Sequence, residues 1–226
     1  MKKMQFSDCC TGMLVLALSC ASWCGPVHAS EINADGHALE KLLDQTRVTE
    51  LWPAGVHVNW ESGEPDGRIV KGNGKHTHCS AFVAATAKRA GIYLLRPPEH
   101  GQDFLANAQY DWLSGQGAAQ GWRELSSAAQ AQDRANHGEV VVVSYRNHSD
   151  NKPGHIAIVR PSEKSDDEIK TEGPQIIQAG GSNYSSTSLK TGFAGHPLAW
   201  KKQEVRYFAH VVEWGRLGGN PSGNAK

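Results

Sequence analysis

Cys79 opens the segment HTHCSAFVAATAKRAG, residues 76–91, in which Phe82, Val83, Ala87 and Ala90 recur at helical spacing, Lys88 and Arg89 fall late and Gly91 ends the run. The spacing predicts a helix from Cys79 to Ala90 with the thiol in its first turn. A cysteine there meets backbone N–H groups without intrahelical partners and the positive end of the helix dipole, and both favour thiolate over thiol. A depressed thiol pKa and fast alkylation near pH 6 are the expectation. A thiolate that attacks a carbonyl also needs a proton carrier for the leaving group, and imidazole titrates in the right range. His155 is singled out by position: it follows Pro153-Gly154 and begins HIAIV, so its ring would emerge at the end of a rigid strand. His210 lies inside a strand, where a hydrogen-bonded core role is expected. His76 and His78 precede the cysteine, and His100, His137, His148 and His196 have turn-like surroundings.

The other four cysteines (Cys9, Cys10, Cys20 and Cys24) lie in a stretch that reads as an export signal: Lys2 and Lys3, an apolar run from Met13 to Ala21, then Val27-His28-Ala29 with small residues at the cleavage positions. Residues 1–29 are therefore expected to be a signal peptide. The exported chain would keep Cys79 alone, which has no partner for an internal disulfide. A single thiol in an oxidising compartment is either a small buried hydrophobe or a working group.

The elements that must position these residues follow from periodicity. Residues 36–46 suit a short amphipathic helix with Leu39, Leu42 and Leu43 on one face and Asp35 as N-cap. VHVNW, 56–60, alternates like a short strand. A polar, Gln- and Ala-rich region from about 100 to 136 reads as irregular. Strand signals then come in quick order at Glu139 (EVVVVSY), His155 (HIAIV), Gln175 (QIIQ) and Val205 (VRYFAHVVEW). Glu139, at the head of an otherwise apolar strand, is expected at an edge or rim. Residues 161–173 read as a charged loop and 178–193 as a polar one. Helix first and strands later, with turns too short for helical crossovers, argues for an α+β domain over residues 30–214, an antiparallel sheet with helices on one face. Residues 215–226 read as a disordered glycine-rich tail.

Twenty-three basic and 23 acidic residues balance, so the chain carries no electrostatic footprint for nucleic acid or an anionic membrane. No segment is long and apolar enough to span a bilayer, and a monomer is expected.

Three pieces together resemble a known family. Cys79-Ser80-Ala81-Phe82-Val83 resembles the cysteine segment of the NlpC/P60 cysteine peptidases, GEVVVVSY their Gly-Asp-Leu-Val strand, and Gly154-His155-Ile156-Ala157-Ile158 their histidine strand, in the same order; the CHAP amidases are similar. The resemblance spans roughly residues 56–214. It implies a papain-like fold with the nucleophile at the N-terminus of the central helix, no cofactor, and peptidoglycan peptide amides as the substrate of an exported bacterial enzyme. The third catalytic position of that superfamily falls on Gln178, whose side-chain oxygen would accept the second ring N–H of His155 and orient it. His78 stands where the family commonly has an acidic residue that helps bind a substrate amino group, and Ala81 and Glu139 are further departures.

Around this triad the sequence offers a substrate cleft. The Cys79 backbone N–H would meet the oxyanion, with Asn59 or Trp60 as second donor. Trp60, His78, Ser80, Asn183 and Tyr184 are the remaining cleft candidates, the last two in the polar segment after Gln178. Two competing readings are a metal site at His76, His78 and Cys79, and a non-catalytic cell-wall-binding module on the same scaffold.

Overall fold

The computed structural model describes residues 31–70 and 76–217. The proposed signal peptide, most of the glycine-bearing loop before Cys79 and the end of the proposed tail lie outside them. The elements in chain order are α1 (Ala34–Asp44), α2 (Cys79–Arg89), α3 (Leu105–Gly115), β1 (Arg123–Leu125), α4 (Ala128–Asn136), β2 (Val140–Tyr145), β3 (His155–Val159), α5 (Asp166–Glu172), β4 (Gln175–Gln178), β5 (Tyr184–Ser188), α6 (Leu189–Gly192), α7 (Pro197–Lys201), β6 (Arg206–His210) and α8 (Trp214–Leu217), with a 3₁₀ turn at Gly117–Gln120. The fold is α+β, built on one six-stranded antiparallel sheet in the order β1-β6-β2-β3-β4-β5. Among the described residues no helix is long and apolar enough to cross a membrane.

Every residue of β2 and of β3 is buried. Successive strand side chains point to opposite faces, so both faces of the sheet centre are covered and the expectation of helices on one face is corrected. Two groups of helices do the covering: α2 packs with α3 against β2 and β3, while α4, joined to α1 and α5, packs against β2, β3 and β6. The valine run of β2 suits this double burial, because β-branched side chains fit a pleated surface packed on both sides. Glu139 sits at the entrance of β2, an interior strand, and pairs with Arg123 of β1 and Arg134 of α4.

Several local expectations differ. The N-cap of α1 is Asn33, whose side chain accepts from the Gly36 N–H at 2.8 Å; Asp35 lies inside the first turn. Residues 56–60 form no strand beyond a single bridge between Val58 and Pro65. The region 100–136 holds α3, β1 and α4, because Ala106, Leu113, Ala131 and Ala135 find core contacts that their polar neighbours obscure in the sequence. Residues 161–173 contain α5, started by a capping box in which Ser165 and Glu168 satisfy each other's backbone N–H groups. Residues 178–193 contain β5 and α6. The proposed tail begins with α8, whose Trp214 indole donates to the Gly138 carbonyl at 2.9 Å.

Candidate active site

α2 begins at Cys79 and packs its buried face, including Phe82 and Val83, into the core. His78 occupies the N-cap position without capping by its side chain; its Nε2 is instead bonded to the Val56 carbonyl, 2.9 Å away. The thiol is 4 % exposed. Backbone N–H groups of Ile156, Ser80 and Cys79 and the Ser80 hydroxyl face the sulfur and favour the thiolate, but burial is the larger influence and pushes the Cys79 thiol above its ordinary value. The expected depression is therefore corrected: a helix N-terminus lowers a thiol pKa where water or a cation also reaches it, and here desolvation wins. Ile156 is the residue after His155, so α2 brings the Cys79 sulfur toward the start of β3.

His155 and Gln178 meet because of sheet register. The β3–β4 pairs Ile158–Ile177 and Val159–Ile176, continued one step, put Gln178 opposite Ala157, on the face that His155 shares. Gln178 Oε1 lies 2.9 Å from His155 Nε2 in a buried contact, and Gln178 Nε2 donates to the Ser182 carbonyl at 3.2 Å. The second bond fixes which end of the amide faces the ring. The ring nitrogen bonded to Oε1 must then be the N–H, which leaves Nδ1 as the basic nitrogen. Among the described residues no hydrogen bond to Nδ1 is formed, and Nδ1 is not among the sealed, unpaired atoms of the interior. The register of β4 against β5 shifts between Ile176 and Gln178, an irregularity that re-aims Gln178. Gly192 leaves the room: a Cβ there would lie 2.6 Å from Gln178 Oε1 and 2.5 Å from Ile176 Cδ1.

Three further side chains surround the His155 ring. Tyr145 stands directly opposite in the β2–β3 ladder. Phe193 presents its ring to the imidazole at 4.5 Å between centroids and 67°, and His196 stacks on it at 5.2 Å and 12°. None of these was legible beforehand: Tyr145 would have needed the register, and the turn carrying Phe193 and His196 is brought back over the site by β5 and α6. With this enclosure His155 is 5 % exposed, and burial, opposed by Gln178, lowers its pKa. Among the described residues no hydrogen bond joins the Cys79 sulfur to the ring. Burial thus opposes charge on both the Cys79 thiol and the His155 ring.

Gly154 explains the tight approach to His155. A Cβ on it would strike the Tyr145 carbonyl and come within 2.5 Å of Asn107 Oδ1. Asn107, buried on α3, holds the connecting loop by accepting from the Asn147 N–H at 3.1 Å and donating to the Lys152 carbonyl at 3.0 Å.

The remaining cleft candidates fall in two groups. Ser80 is at the thiol and His78 immediately before it. Asn59 and Trp60 are not: Asn59 lines a surface groove with Ala85, Lys88 and Arg89, and the Trp60 ring lies 5.6 Å from Lys88 Nζ. Lys88 is nine residues along α2 from Cys79, about 13 Å at 1.5 Å per residue, so both residues contact the far half of α2. Asn59 instead caps a turn through the Glu61 and Ser62 N–H groups. Asn183 is a tether, accepting from the Gly180 N–H and donating to the Val48, Leu51 and Trp52 carbonyls, while Tyr184 is half-buried and pairs with Gln178 across the β4–β5 ladder. Among the described residues no three His, Cys, Asp or Glu side chains are placed to hold a metal ion. His210 bonds through its ring to the Gln120 and Val211 carbonyls, at the end of β6.

No protein-family model matches the chain, and a search of curated proteins returns no match.

Proposed function

We propose that this chain is an exported cysteine hydrolase of papain-like, NlpC/P60-type architecture that cleaves amide bonds in peptidoglycan stem peptides or cross-links. The observation that carries the reading is the buried Nε2–H bond from His155 to Gln178, which leaves Nδ1 as a base on the residue next to Ile156, whose N–H faces the Cys79 sulfur. A structural histidine would have both nitrogens engaged; this one is oriented on one side and open on the other.

In this reading the thiol proton passes to Nδ1 as substrate displaces water, and the sulfur attacks the scissile carbonyl carbon. The oxyanion forms against the Cys79 N–H at the helix start. The imidazolium then protonates the leaving nitrogen, the C–N bond breaks and a thioester remains. Water, deprotonated by Nδ1, attacks the thioester; the C–S bond breaks, the sulfur leaves as thiolate and takes the proton back from the imidazolium, and the product is released as its carboxylic acid, which ionises in water. An amide orients the ring without stabilising imidazolium as a carboxylate would, which suits a ring whose burial already opposes charge.

The test is digestion of purified sacculi by wild type and by Cys79→Ala, with mass spectrometry of the soluble products. Shortened stems or opened cross-links are the expected result for wild type alone. Equal fragments from both proteins overturn the catalytic assignment, and no fragments from either overturn the substrate.

A further inference from the structure

We propose that His196 is a positioning residue for the reaction: its ring is an aromatic cover that clamps the His155 imidazole in the plane set by Gln178 and keeps bulk water from its face. This rests on His155 being the general base. The geometry is a three-sided box. Gln178 holds the ring in its plane through Nε2, Phe193 meets it at a steep angle, and His196 lies nearly parallel on a face, with Tyr145 in turn 5.6 Å from His196. Phe193 is fully buried and belongs to the core, whereas His196 is half-buried in a turn whose Ala194 and Gly195 are exposed. The cover is thus the outermost member of the box, and the one able to move without disrupting the core.

A cover of this kind has a chemical consequence. An imidazole kept from water resists protonation and stays a base in mildly acidic surroundings, where an open histidine would already be charged. The cover must itself be uncharged to lie on a ring that becomes imidazolium during turnover. His196 satisfies this, since burial and the neighbouring His155 lower its pKa to about 4. The other titratable groups here are Tyr145 from β2 and Cys79 from α2; Glu204, which acts on the Tyr145 hydroxyl, is itself paired with His148 at 2.8 Å. Among the described residues no carboxylate acts on His155, and enclosure is the larger influence on its basicity.

The experiment is NMR titration of the His155 ring in the full chain, assigned with His155→Asn, for wild type, His196→Phe and His196→Ala, with the pH dependence of Cys79 alkylation by iodoacetamide alongside. Phenylalanine keeps the cover and removes its charge; alanine removes both. The His155 titration is expected to stay low in His196→Phe and to rise toward the ordinary histidine value in His196→Ala. On sacculi, the ratio of rates at pH 5.5 and 7.5 is expected to fall about fivefold in His196→Ala, through kcat more than KM, and to be restored by His196→Phe. His155 titrating alike in all three folded proteins overturns the inference. So does His196→Phe behaving as His196→Ala, which would leave His196 no role as a ring. Should His196→Ala not fold, His196→Gln replaces it, with the same expectation. Because the ring titration needs no turnover, it decides the role of His196 even if the sacculi remain intact.

Discussion

The two ends of α2 do opposite things with polar groups. At the N-terminal end Cys79, Ser80 and His78 are buried, and what surrounds the sulfur is backbone N–H and hydroxyl. At the C-terminal end Lys88 pairs with Glu61 at 2.6 Å, both sides about half exposed, and Lys88 and Arg96 flank the Trp60 ring. Charge sits where water screens it and accomplishes little; uncharged donors sit where water is absent and each one counts. A site can therefore be polarised by uncharged donors, and a conspicuous cluster of charge and tryptophan can be mere surface.

The largest test of this contrast is removal of the thiol. Cys79→Ala should lower hydrolysis on the order of 10⁴-fold or more without loss of fold, checked by sacculus digestion and circular dichroism. Gln178→Ala should cost on the order of tenfold to a hundredfold in kcat, because the ring stays present but loses its in-plane tether; an unchanged kcat would mean that the box of rings suffices. Gly154→Ala should destabilise by about 1–3 kcal/mol in urea unfolding, since the new methyl must displace the Tyr145 carbonyl or Asn107.

Stability should also fall on mild acidification. His78, His155 and His196 all have folded pKa values below the ordinary 6.5, the last at about 4, so the unfolded chain takes up protons first. The stability they hold is complete above pH 6.5 and drains as pH falls through the folded values. The lowered carboxylates, Asp66 and Glu168 among them, start from 3.8 and 4.5 and act only further down. A melting temperature that falls between pH 6.5 and 4.5, less steeply in His196→Phe, is the expected outcome. The smallest effect belongs to the far end of the helix: Lys88→Ala should change unfolding free energy by less than about 1 kcal/mol and leave hydrolysis unchanged.

Much of this was legible in the chain. The start of α2 at Cys79, the β2 valine run, β3 from His155 and β4 through Gln178 follow from local spacing, because each is decided by which residues lie within one turn or one strand. The helices within 100–136 and α5 were not, since their apolar positions are sparse and become a face once the sheet is present to receive it. Asn59 and Trp60 are candidates through closeness in sequence to Cys79, while their contacts in space are with the far half of α2.

By itself the sequence singled out the thiol and the imidazole, because residue type and element boundaries are local properties; the amide of Gln178 entered through the family resemblance. Tertiary structure alone decided how the three are held: the register that sets Gln178 beside His155, the turn that lays His196 over the ring, and the burial that pushes the thiol up when its helix position argued for the reverse. Those outcomes depend on enclosure by segments distant in the chain, and desolvation is a property of the whole surrounding volume that no single stretch of sequence carries.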